Sequence, residues 1–86
     1  MQADKEKINR LLKTARGQIE GILKMVEEDR YCIDISNQIL ATESILRKTN
    51  REILRAHMEH CVKEAFASGQ EQEKIAEIIQ LLDKMS

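Results

Sequence analysis

The chain has 86 residues, of which 42 % are hydrophobic, 34 % charged and 2 % aromatic, and its formal net charge is −1. This length allows one domain, residues 1–86, with a core that is small for independent stability. Pro is absent and no Gly lies between Gly21 and Gly69, which excludes a turn-rich all-β fold and Gly-rich phosphate-binding loops.

No apolar stretch approaches the about 18 residues of a membrane span, and the N-terminus lacks a signal peptide's apolar core. We therefore expect a cytoplasmic protein without a membrane partner.

Hydrophobic periodicity predicts three helices in an all-α fold. The first, about 4–28, has apolar residues in steps of four and three, which form a seam for partner helices. The second, about 33–67, ends before Gly69, which is typical of a C-terminal cap. The third, about 71–85, carries one apolar stripe. The seam comprises Ile8, Leu12, Ala15, Ile19, Ile22 and Val26, and the stripe comprises Ile75, Ile78, Leu82 and Met85.

Charge is distributed unevenly along the chain. Residues 1–55 carry 11 Lys/Arg and 9 Asp/Glu, whereas residues 56–86 carry 3 and 6. The near-neutral total is compatible with nucleic-acid binding if the cations share one face, and the alternative is an ordinary solvated helix surface. The two basic clusters are Lys5, Lys7, Arg10, Lys13 and Arg16, and Arg47, Lys48, Arg51 and Arg55.

Cys32, His57 and Cys61 form the pattern C-x24-H-x3-C. His57 and Cys61 are four residues apart on a predicted helix, so they project from one face about 6 Å apart at Cβ. Such a pair is a good metal clamp, although a thiol near an imidazole also arises by packing alone. Cys32 precedes His57 by 25 residues. On a continuous helix this is about 37 Å, so one chain cannot bring Cys32 to its own His57.

Two copies of the second helix packed antiparallel can bring the three side chains together. If Cys32 faces Cys61 in a two-fold dimer, residue i faces residue 93 − i, and the axis lies near Leu46 and Arg47. Each end of the helix pair then carries a composite site, with Cys32 from one chain and His57 and Cys61 from the other. The predicted architecture is thus a three-helix protomer in an antiparallel helical-bundle dimer.

Two thiolates and one imidazole are soft ligands that suit Cu(I), with Zn(II) as the competitor. A structural zinc site normally closes with four ligands. His60 is the only other candidate, but it lies about 100° from Cys61 around the helix, which indicates a surface or interface residue. The three-ligand set therefore favours Cu(I).

Four segments carry a family resemblance: Asn9-Arg10-Leu11, Arg16-Gly17-Gln18, Met25 to Cys32, and His57 to Val62. On these segments, nearly the whole chain resembles the copper-sensitive operon repressor (CsoR) family of small all-α metal-responsive transcriptional repressors. The resemblance implies a dimer with inter-subunit sites, commonly paired as a dimer of dimers. It also implies that Tyr31 and Glu77 support the metal-bound histidine; the residues alone would indicate a packing Tyr and a solvated Glu.

Comparison with the other branches of this family indicates that the chain resembles the copper-sensing branch. The nickel and cobalt sensors add a His near the N-terminus, and this chain has none before His57. The formaldehyde-responsive branch lacks the last Cys, whereas Cys61 is present. The persulfide-sensing branch lacks the His, whereas His57 is present.

We therefore expect a Cu(I)-responsive transcriptional repressor rather than an enzyme. Its metal-free homodimer or homotetramer is expected to bind double-stranded operator DNA upstream of copper-efflux genes, and Cu(I) to release it. Arg47, Arg51 and Arg55 recur every four residues and predict a basic stripe near the dimer axis. Two alternatives stay open: a thiol or persulfide redox-sensing repressor in which Cys32 and Cys61 bridge across the dimer, and a structural helical adaptor without a metal role. The residues expected to contact DNA are Arg10, Lys13, Arg16, Lys48 and Arg51.

Overall fold

The computed structural model describes residues 1–85, which form three helices and no strand. Helix α1 spans Lys5–Glu27, α2 spans Cys32–Ser68 and α3 spans Glu71–Met85. The predicted three-helix, all-α protomer is confirmed, and each observed helix end lies within one residue of the expected position. None of these helices carries an apolar stretch long enough to cross a membrane.

The helix ends follow from local backbone chemistry. The Asp4 carboxylate caps α1, because it accepts the backbone N–H of Glu6 at 3.0 Å and that of Lys7 at 3.5 Å. The end of α1 turns at Asp29, whose φ of 51° is left-handed and whose side chain is one of the few that tolerate this conformation. Gly69 ends α2 with a φ of 77°.

Helices α1 and α2 pack antiparallel along the first half of α2. Thr42 Oγ1 donates to Gln18 Oε1 at 2.8 Å, and Lys7 Nζ lies 3.3 Å from Glu52 Oε2. These two contacts set the register of the pair. The buried residues at this contact are Ile8 and Ala15 of α1 and Thr42 and Thr49 of α2.

The apolar seam of α1 is wider than its contact with α2. Ile8, Ala15 and Ile22 face inward as predicted, and Leu11 and Met25 are half-buried beside them. In contrast, the remaining residues of the predicted seam are exposed in the protomer, at 43 % for Leu12, 46 % for Ile19 and 55 % for Val26. Helix α1 therefore has a second apolar edge that no helix of the same chain covers.

Helix α3 packs on the second half of α2 and makes no contact with α1. Cys61 and Ala65 of α2 are buried. The protomer is consequently flat, with extents of 57 × 27 × 12 Å and a radius of gyration of 17.5 Å. A compact chain of this length has a radius of gyration of about 12 Å.

The flat protomer exposes more surface than its mass requires. Its accessible surface is 6782 Å², whereas a compact protein of 10.0 kDa exposes about 5,200 Å². The difference is about 1,500 Å², and much of the exposed surface is apolar. Exposed apolar side chains occur on all three helices and include Leu12, Ile19, Leu23, Val26, Ile33, Ile39, Leu40, Leu46, Ile75, Ile79 and Leu82.

Four charged side chains connect α1 to the middle of α2. Arg55 lies 3.0 Å from both Glu52 and Glu59, and Glu52 also pairs with Lys7 of α1. Hydrogen bonds from Arg55 and then from Lys7 hold the pKa of Glu52 below its usual value. The hydrogen bond to Glu52, and then the one to Glu59, raise the pKa of Arg55.

Replacing Glu52 tests this network through the pH dependence of unfolding. A lowered carboxyl pKa stabilises the folded state above the unfolded-state value of about 4.3, and the stabilisation is lost as the pH falls through the lower folded-state value. We expect the Glu52→Gln variant to unfold at a lower temperature than wild type at pH 7. At pH 2 the two thermal midpoints, measured by circular dichroism, should be nearly equal. Glu20→Gln is the control, because Glu20 is exposed on α1 outside the network. A deficit that stays constant down to pH 2 would show that the charge of Glu52 is not its cause.

Candidate metal centre and basic surface

The three predicted metal ligands all lie on α2 but in two places. Cys32 is the first residue of the helix and is exposed. His57 is exposed near the other end, and Cys61 is 7 % exposed. Because His57 and Cys61 are four residues apart in a regular helix, their side chains leave α2 from one face.

The continuity of α2 keeps Cys32 away from this pair. The helix runs without interruption from Cys32 to Ser68, so the separation of 25 positions between Cys32 and His57 corresponds to about 37 Å. Within residues 1–85 of one chain, no group of three or more His, Cys, Asp or Glu side chains is placed to hold a metal ion. A site that uses all three predicted ligands therefore requires a second chain.

The local environments of the two thiols differ. No side chain caps the N-terminus of α2, where Cys32 is exposed. Cys61, in contrast, is buried and lies on the half of α2 that packs on α3.

Neither of the two residues expected to support the histidine makes a hydrogen bond or ion pair with His57 among the described residues of one chain. Tyr31 is 67 % exposed at the start of α2. Glu77 is exposed on α3, and its carboxylate lies 3.5 Å from Lys74 Nζ. Their role beside His57 remains a prediction. His60 is exposed, with Nε2 at 3.1 Å from Glu64 Oε1, which agrees with its interpretation as a surface residue.

The α1–α2 packing brings the two basic clusters to the same level of the protomer. The Lys7–Glu52 and Gln18–Thr42 contacts place residues 10–16 of α1 beside residues 44–50 of α2. The cations expected to contact DNA are exposed: Arg10, Lys13, Arg16, Lys48 and Arg51. These cations come from segments far apart in sequence, and the antiparallel packing of α1 on α2 brings the two segments to the same level.

The predicted basic stripe of α2 needs one correction. Arg55 is not available as a free cation, because it is held between the carboxylates of Glu52 and Glu59. Arg47 and Arg51 instead line an open groove together with Lys84 of α3. The sequence contains no signal for this juxtaposition, because Lys84 belongs to the acidic last third of the chain and reaches the groove only through the packing of α3 on α2.

The chain matches a family model described as "metal-sensitive transcriptional repressor" over residues 4–84. It is 37 % identical over 83 residues to the copper-sensing transcriptional repressor CsoR of Bacillus subtilis (strain 168), a match that covers 96 % of this chain and 82 % of that protein. It is 44 % identical over 72 residues to CsoR of Mycobacterium ulcerans (strain Agy99), covering 84 % of this chain and 61 % of that protein. The chain therefore spans about three fifths of the mycobacterial relative.

Two solved structures are similar to this fold. One is the copper-sensing repressor CsoR with Cu(I) from Geobacillus thermodenitrificans NG80-2, with a TM-score of 0.85 and 38 % identity, covering 93 % of this chain and 83 % of that one. The other is the nickel-responsive transcriptional regulator InrS, with a TM-score of 0.86 and 31 % identity, covering 100 % and 97 %. The same fold thus serves proteins that respond to different metals.

The separation of the two thiols predicts the products of oxidation. Cys32 and Cys61 are about 43 Å apart along one helix, whereas a disulfide needs Cα atoms within about 7 Å. We expect oxidation of the folded protein to give disulfide-linked chain pairs and no bridge within a chain, as seen on non-reducing gels and by mass spectrometry of linked peptides. Cys32→Ala and Cys61→Ala are matched controls that remove one thiol each. A monomer with Cys32 joined to its own Cys61 would contradict the continuous α2.

Proposed function

Because the chain belongs to the family of metal-sensitive transcriptional repressors, we propose that it is a Cu(I)-responsive repressor. In this proposal the metal-free protein binds operator DNA, and Cu(I) at a site shared between two chains releases it. The observation that carries the proposal is the arrangement of soft ligands on α2: His57 and the buried Cys61 share one face, and Cys32 lies at the far end of the same helix.

The donor set supports Cu(I) rather than Ni(II) or Zn(II). Two thiolates and one imidazole match the preference of a soft monovalent ion for low coordination with sulfur. Zn(II) in a structural site would need a fourth ligand, and the remaining histidine, His60, is turned toward Glu64 on the surface. The relatives named as copper-sensing repressors are 37 % and 44 % identical to the chain.

A second copy of the chain would cover the exposed apolar surface. Burying the excess of about 1,500 Å² on each protomer gives a total of about 3,000 Å², which lies within the range of obligate homodimers. Antiparallel pairing of the α2 helices about Leu46 and Arg47 would place Cys32 beside the partner's Cys61. The exposed α3 side chains of Ile75, Ile79 and Leu82 would then remain available for pairing two dimers into a tetramer.

The basic residues of α1 and α2 would form the DNA-binding surface. Arg10, Lys13 and Arg16 lie at the level of Lys48, and all are exposed, so their charges are available to backbone phosphates. The chain of ion pairs from Lys7 through Glu52 and Arg55 to Glu59 joins α1 to the α2 segment that contains His57. A change in that segment on metal binding would therefore reach α1 through direct contacts.

Fluorescence anisotropy with added metals tests this function. The metal-free protein is bound anaerobically to a duplex carrying the DNA upstream of its own gene, and Cu(I), Zn(II), Ni(II) or a persulfide is added stepwise. We expect release near one equivalent of Cu(I) per chain, with a loss of affinity of about 5- to 150-fold. His57→Ala should bind DNA and resist release, whereas His60→Ala should behave as wild type. Release of His57→Ala from DNA by Cu(I) would exclude the mechanism. Release of wild type and His57→Ala by persulfide, with no release by Cu(I), would favour the redox alternative.

Mixing two variants tests whether the site is shared between chains. Cys32→Ala and Cys61→Ala homodimers each lack a ligand in both sites, but a mixed dimer has one complete site and one site lacking both thiols. We expect weak Cu(I) binding by either variant alone and about one tight site per four chains in an exchanged equimolar mixture, measured by competition with a colorimetric Cu(I) chelator. If mixing the two variants creates no tight Cu(I) site, the site is not shared between chains or does not use both cysteines.

A further inference from the structure

The groove between the middle of α2 and the end of α3 is a second place where functional side chains converge. In the single protomer it is open to solvent and has a volume of about 660 Å³. Arg47 and Arg51 lie one turn apart on α2, and Lys84 lies in the last turn of α3. The other lining residues are Ser44, Asn50 and Met85.

The positive charge in this groove is not paired with any carboxylate of residues 1–85. Among the described residues, no carboxylate lies within salt-bridge distance of Arg47, Arg51 or Lys84, and all three are exposed. In contrast, Arg55, one turn beyond Arg51, has two carboxylates at 3.0 Å. Like charges that share a groove repel one another, so a bound anion would stabilise the arrangement.

The donor chemistry of the groove fits a phosphate group. Two guanidinium groups can each make paired hydrogen bonds to phosphate oxygens, and an ammonium group adds a compact charge. The side chains of Ser44 and Asn50 offer further neutral donors. Because the groove is open along the helices rather than enclosed, it suits a phosphate carried on an extended polymer.

We propose that this groove binds a phosphate group of the DNA backbone, and that Lys84 of α3 is therefore part of the DNA-binding surface. The inference rests on the proposed function, in that duplex DNA supplies the phosphate. It extends that function to the third helix, which is otherwise acidic, and it assigns Arg47 the same role as Arg51.

Replacing Lys84 tests the groove without disturbing the core, because Lys84 is exposed. We expect Lys84→Gln to weaken binding to a duplex about five- to tenfold at 0.1 M salt. The plot of the logarithm of the duplex-binding constant against the logarithm of the salt concentration should become shallower by about one unit for each groove that touches the duplex. Lys84→Arg should retain the wild-type slope, since it keeps the charge.

Lys63→Gln is the matched control. It removes the same charge from an exposed position on α2, about 18 Å along the helix from Arg51, and should leave the salt slope unchanged. Equal salt slopes for Lys84→Gln and wild type would overturn the proposal for DNA.

A second measurement separates this inference from the proposed function. Thermal unfolding is followed in sodium phosphate and in sodium chloride at equal ionic strength. If wild type binds no duplex, a phosphate-dependent rise in midpoint that Lys84→Gln loses and Lys63→Gln keeps would support a site for free phosphate. The absence of such a rise, in a protein that binds no duplex, would overturn the groove as a phosphate site.

Discussion

The unbroken helix α2 is the constraint on which the rest of the structure depends. It contains 37 residues and is about 55 Å long, close to the 57 Å maximum extent of the protomer. Because a continuous helix cannot fold back on itself, α1 packs on its first half and α3 on its second half. The three helices therefore form one layer rather than a bundle with an enclosed core. The two thiols are held at opposite ends of that layer.

This single-layer arrangement relates the packing to the proposed metal chemistry. The buried positions are few and mostly small, such as Ala15, Ala65 and Thr49, whereas many large apolar side chains remain exposed. The same geometry that leaves the core incomplete also leaves Cys32 far from His57 and Cys61. Antiparallel pairing of two α2 helices would resolve both problems together, because it covers apolar surface and completes two sites.

The role of each basic side chain depends on whether a carboxylate of the same chain already forms an ion pair with it. Arg55 is engaged by Glu52 and Glu59, and so it serves the connection between α1 and α2. Arg47 and Arg51 pair with no carboxylate in the part of the chain that the structure describes, and they share their groove with Lys84. Net charge per segment cannot distinguish these cases, since it ignores which side chains lie within hydrogen-bonding distance in the folded chain.

The amino-acid sequence by itself determined the number of helices and, to within one residue, their ends, since apolar periodicity and the Gly69 cap act through near neighbours. The spacing of Cys32, His57 and Cys61 also predicted a shared site, because helical rise converts residue number into distance. Only the tertiary structure decided which edge of α1 faces α2, because Leu12 and Leu11 both continue an apolar stripe. It also decided that Arg55 is paired and that Lys84 joins Arg47 and Arg51. Those outcomes depend on the register between helices, which is set by contacts such as Lys7–Glu52 between residues remote in sequence.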